Sequence, residues 1–475
     1  RHRRSSPSVW PTHPTHHPTH PAKIHRLKYR RAALCAADTR QRRVGKRSTG
    51  SCLRKDRGKA RRRLDEKAGE IFPSAASKPE TRRHRGGLNP THKEKRKDAM
   101  KMEYRRMENL GVYPSLLGFG CMRFPTDENG KIDRPAARAL LALAMQNGVN
   151  YLDTAYPYHD GESEPFLGEA LAEYPRDSYF LATKLPAWAL ETPADVERVF
   201  NEQLARLRTD YIDFYLLHAL DASKWEKLQK FGAVEFCERM KRAGKIRHFG
   251  FSFHDSLDVF RSILGARDWD FCQLQINYMD TETQAGLEGY RLAAEKGVPV
   301  VVMEPVKGGL LAKLPADVSA RLAAVTPGQS DASWAMRFVG SLPNVKVILS
   351  GMSDASQVMD NISTFRDFKP LSEAERAALD TAVETLKARV KNPCTGCGYC
   401  MPCPAGVDIP RNFRVWNMFG VYQNAASAAA GWKNIPEGAR ADACVACGAC
   451  LEKCPQRIGI PDDLRRVRED AHTWQ

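Results

Sequence analysis

Gly148 to Gly168 reads GVNYLDTAYPYHDGESEPFLG, and the fold turns on how this stretch is understood. Val149-Asn150-Tyr151-Leu152 is a short apolar run of the kind that forms a buried parallel strand. The run stops on Asp153, and Tyr158 follows in a polar loop before the helical LGEALAEY. A carboxylate at a strand's end, with a phenol one loop later, sits where a β/α barrel keeps its chemistry. Taken alone, the pair reads more readily as a strand-end Asp and a surface Tyr. Two later strands tip the balance: Tyr179-Phe180-Leu181-Ala182-Thr183 runs into Lys184, and YIDFYLL (Tyr211 to Leu217) runs into His218. Asp, Tyr, Lys and His at the ends of three successive strands exceed what barrel stability asks for.

Further apolar runs extend the pattern on both sides. Strands are expected at Leu116–Gly120, Asn150–Asp153, Tyr179–Ala182, Tyr211–Leu217, Arg247–Ser252, Phe271–Asn277, Val298–Met303 and Val345–Leu349. Helical patterns lie between them, among them Arg134–Asn147, Pro193–Leu207, Ala233–Ala243 and Gln284–Lys296. Gly148, Gly244 and Gly297 stand just past helix ends, where a left-handed cap is wanted. Eight β-α alternations in roughly 250 residues predict a (β/α)8 TIM barrel. A doubly wound open sheet would want a Gly-rich phosphate loop after its first strand, and Leu117-Gly118-Phe119-Gly120-Cys121-Met122-Arg123 does not supply one. The segment Met102–Ser115 reads as a hairpin closing the barrel's base.

These pieces in this order (GVNYLDTA, a Tyr five residues after the Asp, SEPFLGEAL, ATK and LLH) resemble the aldo/keto reductase family over about Gly111 to Asn361. The resemblance implies hydride transfer between a nicotinamide and a small carbonyl compound. A developing alkoxide needs a proton, so a positioned acid lowers the barrier. By the resemblance Tyr158 is that acid, Lys184 lowers its pKa, His218 orients the carbonyl oxygen and Asp153 holds the lysine. A phenol near pKa 10 is otherwise a weak acid at neutral pH, and a neighbouring cation is what physics asks for.

Likeness also matches Ser252 and Gln273 to contacts with the nicotinamide carboxamide. It matches Ser350, Gly351, Ser353, Gln357 and Asn361 to the loop and helix start that hold the adenosine phosphate end, where helix amides suit a phosphate. Three departures stand out. Gly351 and Gln357 occupy positions where NADPH-preferring members carry Lys or Arg, Phe253 follows Ser252 where Asn is common, and Met303-Glu304-Pro305 replaces the usual stacking aromatic. NADP and NAD are therefore both open, and a flavin in the same mouth is the alternative.

Past Lys369-Pro370 the barrel pattern ends. LSEAERAALDTAVETLKARV (Leu371 to Val390) is an amphipathic helix opened by Ser372, with Glu373 and Glu375 in its first turn; it reads as the joint between domains. After it, Cys394, Cys397, Cys400 and Cys403-Pro404 form C-x2-C-x2-C-x2-C-P. Cys444, Cys447, Cys450 and Cys454-Pro455 form C-x2-C-x2-C-x3-C-P, the bacterial ferredoxin spacing for cubane clusters. Zinc, which wants four ligands, usually in two separated pairs, explains these triplets poorly. One or two [4Fe-4S] clusters are expected, two being favoured. In two-cluster ferredoxins the fourth Cys serves the other cluster, which assigns Cys394, Cys397, Cys400 and Cys454 to one and Cys444, Cys447, Cys450 and Cys403 to the other. Helical patterns at Phe413–Gln423 and Ala425–Trp432 make this a small, mostly α-helical, ferredoxin-like domain. The whole resembles a branch of aldo/keto reductases with a C-terminal ferredoxin-type domain.

Eight of the 13 cysteines lie in these motifs, which implies a reducing, cytoplasmic setting. Residues 1–99 carry 29 Lys and Arg against 8 Asp and Glu, a net +21, so against a whole-chain +17 residues 100–475 carry −4. The leader, with PTHPTHHPTHP and basic runs, cannot bury enough surface to fold. It is expected to be disordered, translated upstream sequence, with the native start at Met100 or Met102. A nucleic-acid partner would rest on that leader alone and is not expected. No run approaches about 18 apolar residues, so no membrane partner is expected either. The domain plan is 1–99 leader, 102–370 barrel, 371–390 linking helix and 391–475 iron–sulfur domain.

A hydride carries two electrons and a cluster one, so a flavin, or a flavoprotein or ferredoxin partner, would complete a circuit. The sequence thus predicts an iron–sulfur oxidoreductase with the clusters as relay. The alternatives are a carbonyl reductase with structural clusters, and an electron-transfer adaptor with an inactive barrel.

Overall fold

The computed structural model describes residues 101–474. The leader, and the expectations that fall on it, lie outside the described residues. Eight parallel strands close into a barrel in sequence order: β1 Leu117–Gly120, β2 Tyr151–Asp153, β3 Phe180–Pro186, β4 Ile212–Leu220, β5 Ile246–Phe253, β6 Phe271–Gln275, β7 Val300–Met303 and β8 Val345–Ser350. β1 pairs with β8 through Leu117↔Ile348 and Phe119↔Ser350, which seals the ring. Helices follow the strands and cover the outside, as the eightfold alternation predicts.

The pleat decides what lies inside. Tyr151, Ala182, Phe214, Leu216, Phe271, Val301, Val347 and Leu349 fill the barrel's interior. Their strand neighbours Leu152, Leu181, Tyr215, Leu217, Cys272, Val300 and Ile348 face the helices. A Cβ on Gly118 would stand 2.6 Å from Val347 Cγ1 and 2.8 Å from Leu349 Cδ2, so the interior requires glycine there. The N-terminal segment pairs Tyr104 with Ser115 and Met107 with Val112 in antiparallel bridges. Met107 is fully buried with the interior set, so the expected hairpin plugs the barrel from below.

The helix Glu373–Lys387 opens on a full capping box between Ser372 and Glu375. Arg337, on the helix Asp331–Gly340, grips Glu375 with two hydrogen bonds of 2.6 and 2.8 Å. Leu379, Ala382 and Leu386 bury this helix in the barrel's own apolar cluster. From residue 391 to 474 there is no strand. The helices Ile409–Tyr422, Ala425–Lys433 and Ile460–Ala471 gather a second core around Phe413, Trp416, Ile435, Leu464 and Trp474. The first of these belongs to both bodies: Phe413 and Trp416 lie in the second core, Val421 and Tyr422 in the barrel's. Among the described residues no helix is long and apolar enough to cross a membrane.

Candidate active site and thiol centres

Each strand continues its inward-facing set by one more residue at the carboxyl rim. Two positions past Tyr151 comes Asp153, past Ala182 Lys184, past Leu216 His218, past Gly250 Ser252, and past Phe271 Gln273. Period-2 alternation therefore puts all five into one layer over the packed interior. Lys184 Nζ donates to Asp153 Oδ1 at 2.6 Å and to the Thr154 carbonyl at 2.7 Å. The two side chains are 1% and 3% exposed. Burial alone would lower the lysine's pKa, but the Asp153 carboxylate and the Tyr158 phenol outweigh it and leave it raised. Burial pushes the Asp153 carboxyl up, opposed by the ammonium.

Tyr158 opens a tight turn, Tyr158–Gly161, in which His159 and Asp160 both adopt left-handed backbone (φ 53°). That turn aims the phenol back over the rim, with Lys184 Nζ 5.1 Å from its ring centroid. The lysine does pull the phenol's pKa down, but burial is the larger effect and the net shift is upward. This corrects the expectation of a phenol made more acidic overall: a nearly closed site withholds the water that would stabilise a phenolate. The hydroxyl therefore stays protonated. His218 lies edge-on to Tyr158, with centroids 6.2 Å apart, and against Trp188 at 4.8 Å. Burial, then Lys184 and His254, press its pKa well below the usual value. The imidazole is neutral and its Nδ1 has no partner.

A mouth of about 390 Å³ opens beside this cluster, within the ~300–1,000 Å³ of small-molecule sites. Asp153, Tyr158, Gln273, Gly351, Ser353 and Gln357 line it. Gln273 Nε2 donates to Asp153 Oδ2 at 3.4 Å, while its buried Oε1 has no partner. An orphaned amide oxygen facing a mouth fits the amide of a nicotinamide. The other expected cofactor residues are engaged within the protein. Ser252 Oγ accepts from the Ala219 N–H at 2.7 Å, and Asn361 donates to Ser350 Oγ at 3.0 Å. All three are buried.

Met303, Glu304 and Pro305, singled out as a departure from the family pattern, do line the mouth; sequence reasoning missed Met122, Arg123 and Val306 there, and Trp188 over His218. Arg123 extends the first-strand run already read as LGFGCMR. A signal also exists for Glu304, whose backbone is left-handed (φ 56°), a strain usually kept for function.

In the second body Cys394, Cys397, Cys400 and Cys454 line one cavity with Ile409, Pro410, Phe413, Ile458 and Ile460. Burial raises the Cys450 thiol, with Cys444, Cys403 and Cys447 as its thiol neighbours. All eight are free thiols. Both motifs wind the same way: Gly396 and Gly398 (φ 72° and 77°) recur as Ala446 and Gly448 (φ 53° and 77°). Left-handed turns on either side of the middle cysteine let three thiols of a short loop converge. Among the described residues no three His, Cys, Asp or Glu gather at the distance of a single metal ion. Four of the thiols, Cys394, Cys397, Cys400 and Cys454, stand instead around a cavity, as the ligands of a polynuclear cluster must.

Comparison with known proteins agrees with both halves. Residues 116–384 match the model of the aldo/keto reductase family, and residues 393–458 that of the 4Fe-4S dicluster domain. L-galactose dehydrogenase of Arabidopsis thaliana is 28% identical, covering 62% of this chain and 96% of the enzyme. An uncharacterised oxidoreductase of Bacillus subtilis is 27% identical over 59% of this chain and 96% of its own length. The solved holo form of an aldo-keto reductase from Bacillus halodurans is 28% identical with a TM-score of 0.51, covering 59% of this chain and 96% of that one. With more than half of its length in the family's own pattern, the chain belongs to the aldo/keto reductase family and carries a 4Fe-4S dicluster domain behind its barrel.

Proposed function

We propose that the barrel reduces a small carbonyl compound, with Tyr158 as proton donor and a nicotinamide dinucleotide in the mouth. When bound, the dinucleotide supplies the hydride; everything else falls to the chain. Gln273 offers its free Oε1 to the carboxamide. Neutral His218, with Trp188 packed against its ring, would offer an N–H to the substrate oxygen. Tyr158 gives its proton to that oxygen as charge develops. An alkoxide approaches hydroxide in basicity, the pKa of bulk water being about 15.7, so even a phenol raised by burial donates downhill. Lys184, fixed by Asp153, then faces the phenolate left behind.

The observation that carries this reading is the buried Lys184–Asp153 pair beside the Tyr158 ring. A purely structural pair would not need a phenol held over it by two left-handed residues. Ser252, Ser350 and Asn361 take supporting roles, holding the strand ends rather than the ligand. In the second body we assign Cys394, Cys397, Cys400 and Cys454 to one [4Fe-4S] cluster and Cys444, Cys447, Cys450 and Cys403 to the other. Such clusters supply single-electron transfer.

The test is an aldehyde panel assayed anaerobically with either reduced nicotinamide. Tyr158→Phe should cut kcat by about 10²–10⁴, the usual worth of a positioned general acid, with unchanged dinucleotide affinity. A Phe variant within threefold of the parent would end the proposal.

A further inference from the structure

Tyr158 is brought to the rim by a turn rather than by a strand, so something outside the turn has to hold it still. The turn's own backbone bonds are local: the Tyr158 N–H donates to the Ala155 carbonyl at 3.1 Å, and the Glu162 N–H to the His159 carbonyl at 3.0 Å. Between them His159 and Asp160 are left-handed in succession, at φ 53°, ψ 49° and φ 53°, ψ 32°. Non-glycine residues are uncommon in that region and persist where their surroundings hold them there.

His159 supplies that hold. Its side chain is half-buried, and its Nε2 accepts the Phe124 N–H at 3.2 Å. Accepting at Nε2 requires the neutral ring, with its proton on Nδ1. Phe124 is a fixed point: it is 3% exposed, and its ring centroid lies 5.7 Å from that of Phe119, 5.0 Å from Phe166 and 5.8 Å from His159 itself. The loop that carries it follows β1 and lines the mouth with Met122 and Arg123. That loop is anchored without help from His159. The Cys121 N–H donates to the Asp153 carbonyl at 2.8 Å, Ser163 Oγ to the Cys121 carbonyl at 3.2 Å, and Ser353 Oγ to the Arg123 carbonyl at 2.8 Å. The bond from Phe124 to His159 is therefore one-sided: it steadies the turn, and the loop stands without it.

We propose that His159 is the positioning residue of the proton donor, its imidazole pinning the Tyr158 turn to the Phe124 amide so that the phenol stays over the Lys184–Asp153 pair. This role rests on the reading of Tyr158 as proton donor. The pin has a pH limit. A protonated imidazole carries an N–H at Nε2 and no acceptor, so it would meet the Phe124 N–H donor to donor. Burial lowers the ring's pKa from 6.5; Glu162 and Asp160 of its own segment oppose this, and Arg123 of the facing loop adds to it. Lys131, farther along that loop, is held by Glu162 at 2.9 Å. The pin is whole at neutral pH and fails in acid.

The test compares the whole, anaerobically purified parent with His159→Leu, His159→Gln and Tyr158→Phe, using the aldehyde best reduced in the panel above. His159→Leu should lower kcat about 10- to 100-fold, the scale on which displacing a reacting group by about 1 Å acts, and leave dinucleotide Kd within about twofold. Gln keeps a side-chain acceptor that does not titrate. His159→Gln should therefore recover most of the loss and stay level below pH 6.5, where the parent's kcat falls. His218, pressed well below 6.5, titrates alike in parent and variant. Hydrogen exchange of the peptide carrying Phe124, read by mass spectrometry, should be faster in His159→Leu and unchanged in Tyr158→Phe. Parent-like kcat or parent-like exchange in His159→Leu, a Gln variant no better than the Leu variant, or an acid limb unmoved in His159→Gln would each overturn the pin. Should Tyr158→Phe stay within about threefold of the parent while His159→Leu still speeds exchange at Phe124, the proton-donor reading fails instead, and this role for His159 falls with it.

Discussion

Asp153 and Lys184 should behave as a single thermodynamic unit, and a four-member cycle of parent, Asp153→Asn, Lys184→Met and the double variant tests it. The pair is almost dry, at 3% and 1% side-chain exposure, with a 2.6 Å contact. Removing one partner of a buried pair strands the other charge and costs about 3–5 kcal/mol. At about 2–4 °C per kcal/mol for a domain this size, each single variant should lose roughly 6–20 °C. Removing both charges at once strands nothing, so the double variant should be more stable than either single. The assay is thermal unfolding followed by tryptophan fluorescence, on the same transition in all four proteins.

The pH dependence separates the singles, because the stranded groups titrate in opposite senses. In Lys184→Met the lone Asp153 has a folded pKa raised by burial, a contribution present below the unfolded value near 3.9 and lost as pH rises. Its deficit therefore grows from acid toward neutral pH. In Asp153→Asn the lone Lys184 has a folded pKa lowered by burial, so its deficit is largest below that pKa and shrinks toward pH 10. Additive single losses, within about 0.5 kcal/mol, or parallel pH profiles would refute the coupling.

Two further outcomes are expected. Glu375, gripped by Arg337, has its pKa lowered to about 2 from 4.5, so the pair's stability is present above pH 4.5 and lost as pH falls toward 2. That shift corresponds to about 3 kcal/mol at neutral pH; Glu375→Gln should lose most of it and show a flatter acid limb in urea unfolding. For the thiols, the paired variants Cys394→Ser/Cys454→Ser and Cys394→Ser/Cys403→Ser discriminate the ligand sets. If sharing follows the assigned ligand sets, the first should disturb one cluster and the second both, read as spin counts of the reduced protein by electron paramagnetic resonance.

Much of the barrel is legible in the sequence because buried parallel strands are continuous apolar runs with polar ends. All eight strands fall within a few residues of their expected places. The errors have physical causes. β7 starts at Val300 rather than Val298 because Pro299 has no N–H for the ladder. β3 and β4 run on to Pro186 and Leu220 because the rim is as buried as the core. The helix Ile409–Tyr422 begins before Phe413, with Asp408 as cap and Pro410 in its first turn. Rim residues Asp153, Lys184 and His218 could be found since each stands where an apolar run of the sequence turns polar; Gln273, inside β6, came from the family likeness. Arg123 and Trp188 could not, since they reach the site through loops whose course depends on barrel closure.

Closure also explains why the thiol body is not a loosely tethered appendage. A flexible linker would leave a polar, exposed seam, yet here one helix serves two cores, Phe413 and Trp416 in one and Val421 and Tyr422 in the other. The approach is sealed by backbone contact: a Cβ on Gly420 would stand 2.6 Å from the Arg389 carbonyl. Asn417 accepts the Asn392 N–H at 3.0 Å and donates to the Asn392 carbonyl at 3.0 Å. Arg389, at the end of the joint, pairs with Asp317 on the barrel helix Ala316–Val325 at 2.6 Å. Rotating the thiol body about this joint would expose apolar surface at about 25 cal/mol per Å² and leave these polar groups unpaired. The cavity holding Cys394, Cys397, Cys400 and Cys454 is therefore fixed relative to the mouth holding Tyr158, a geometry that any exchange of electrons between the two must use.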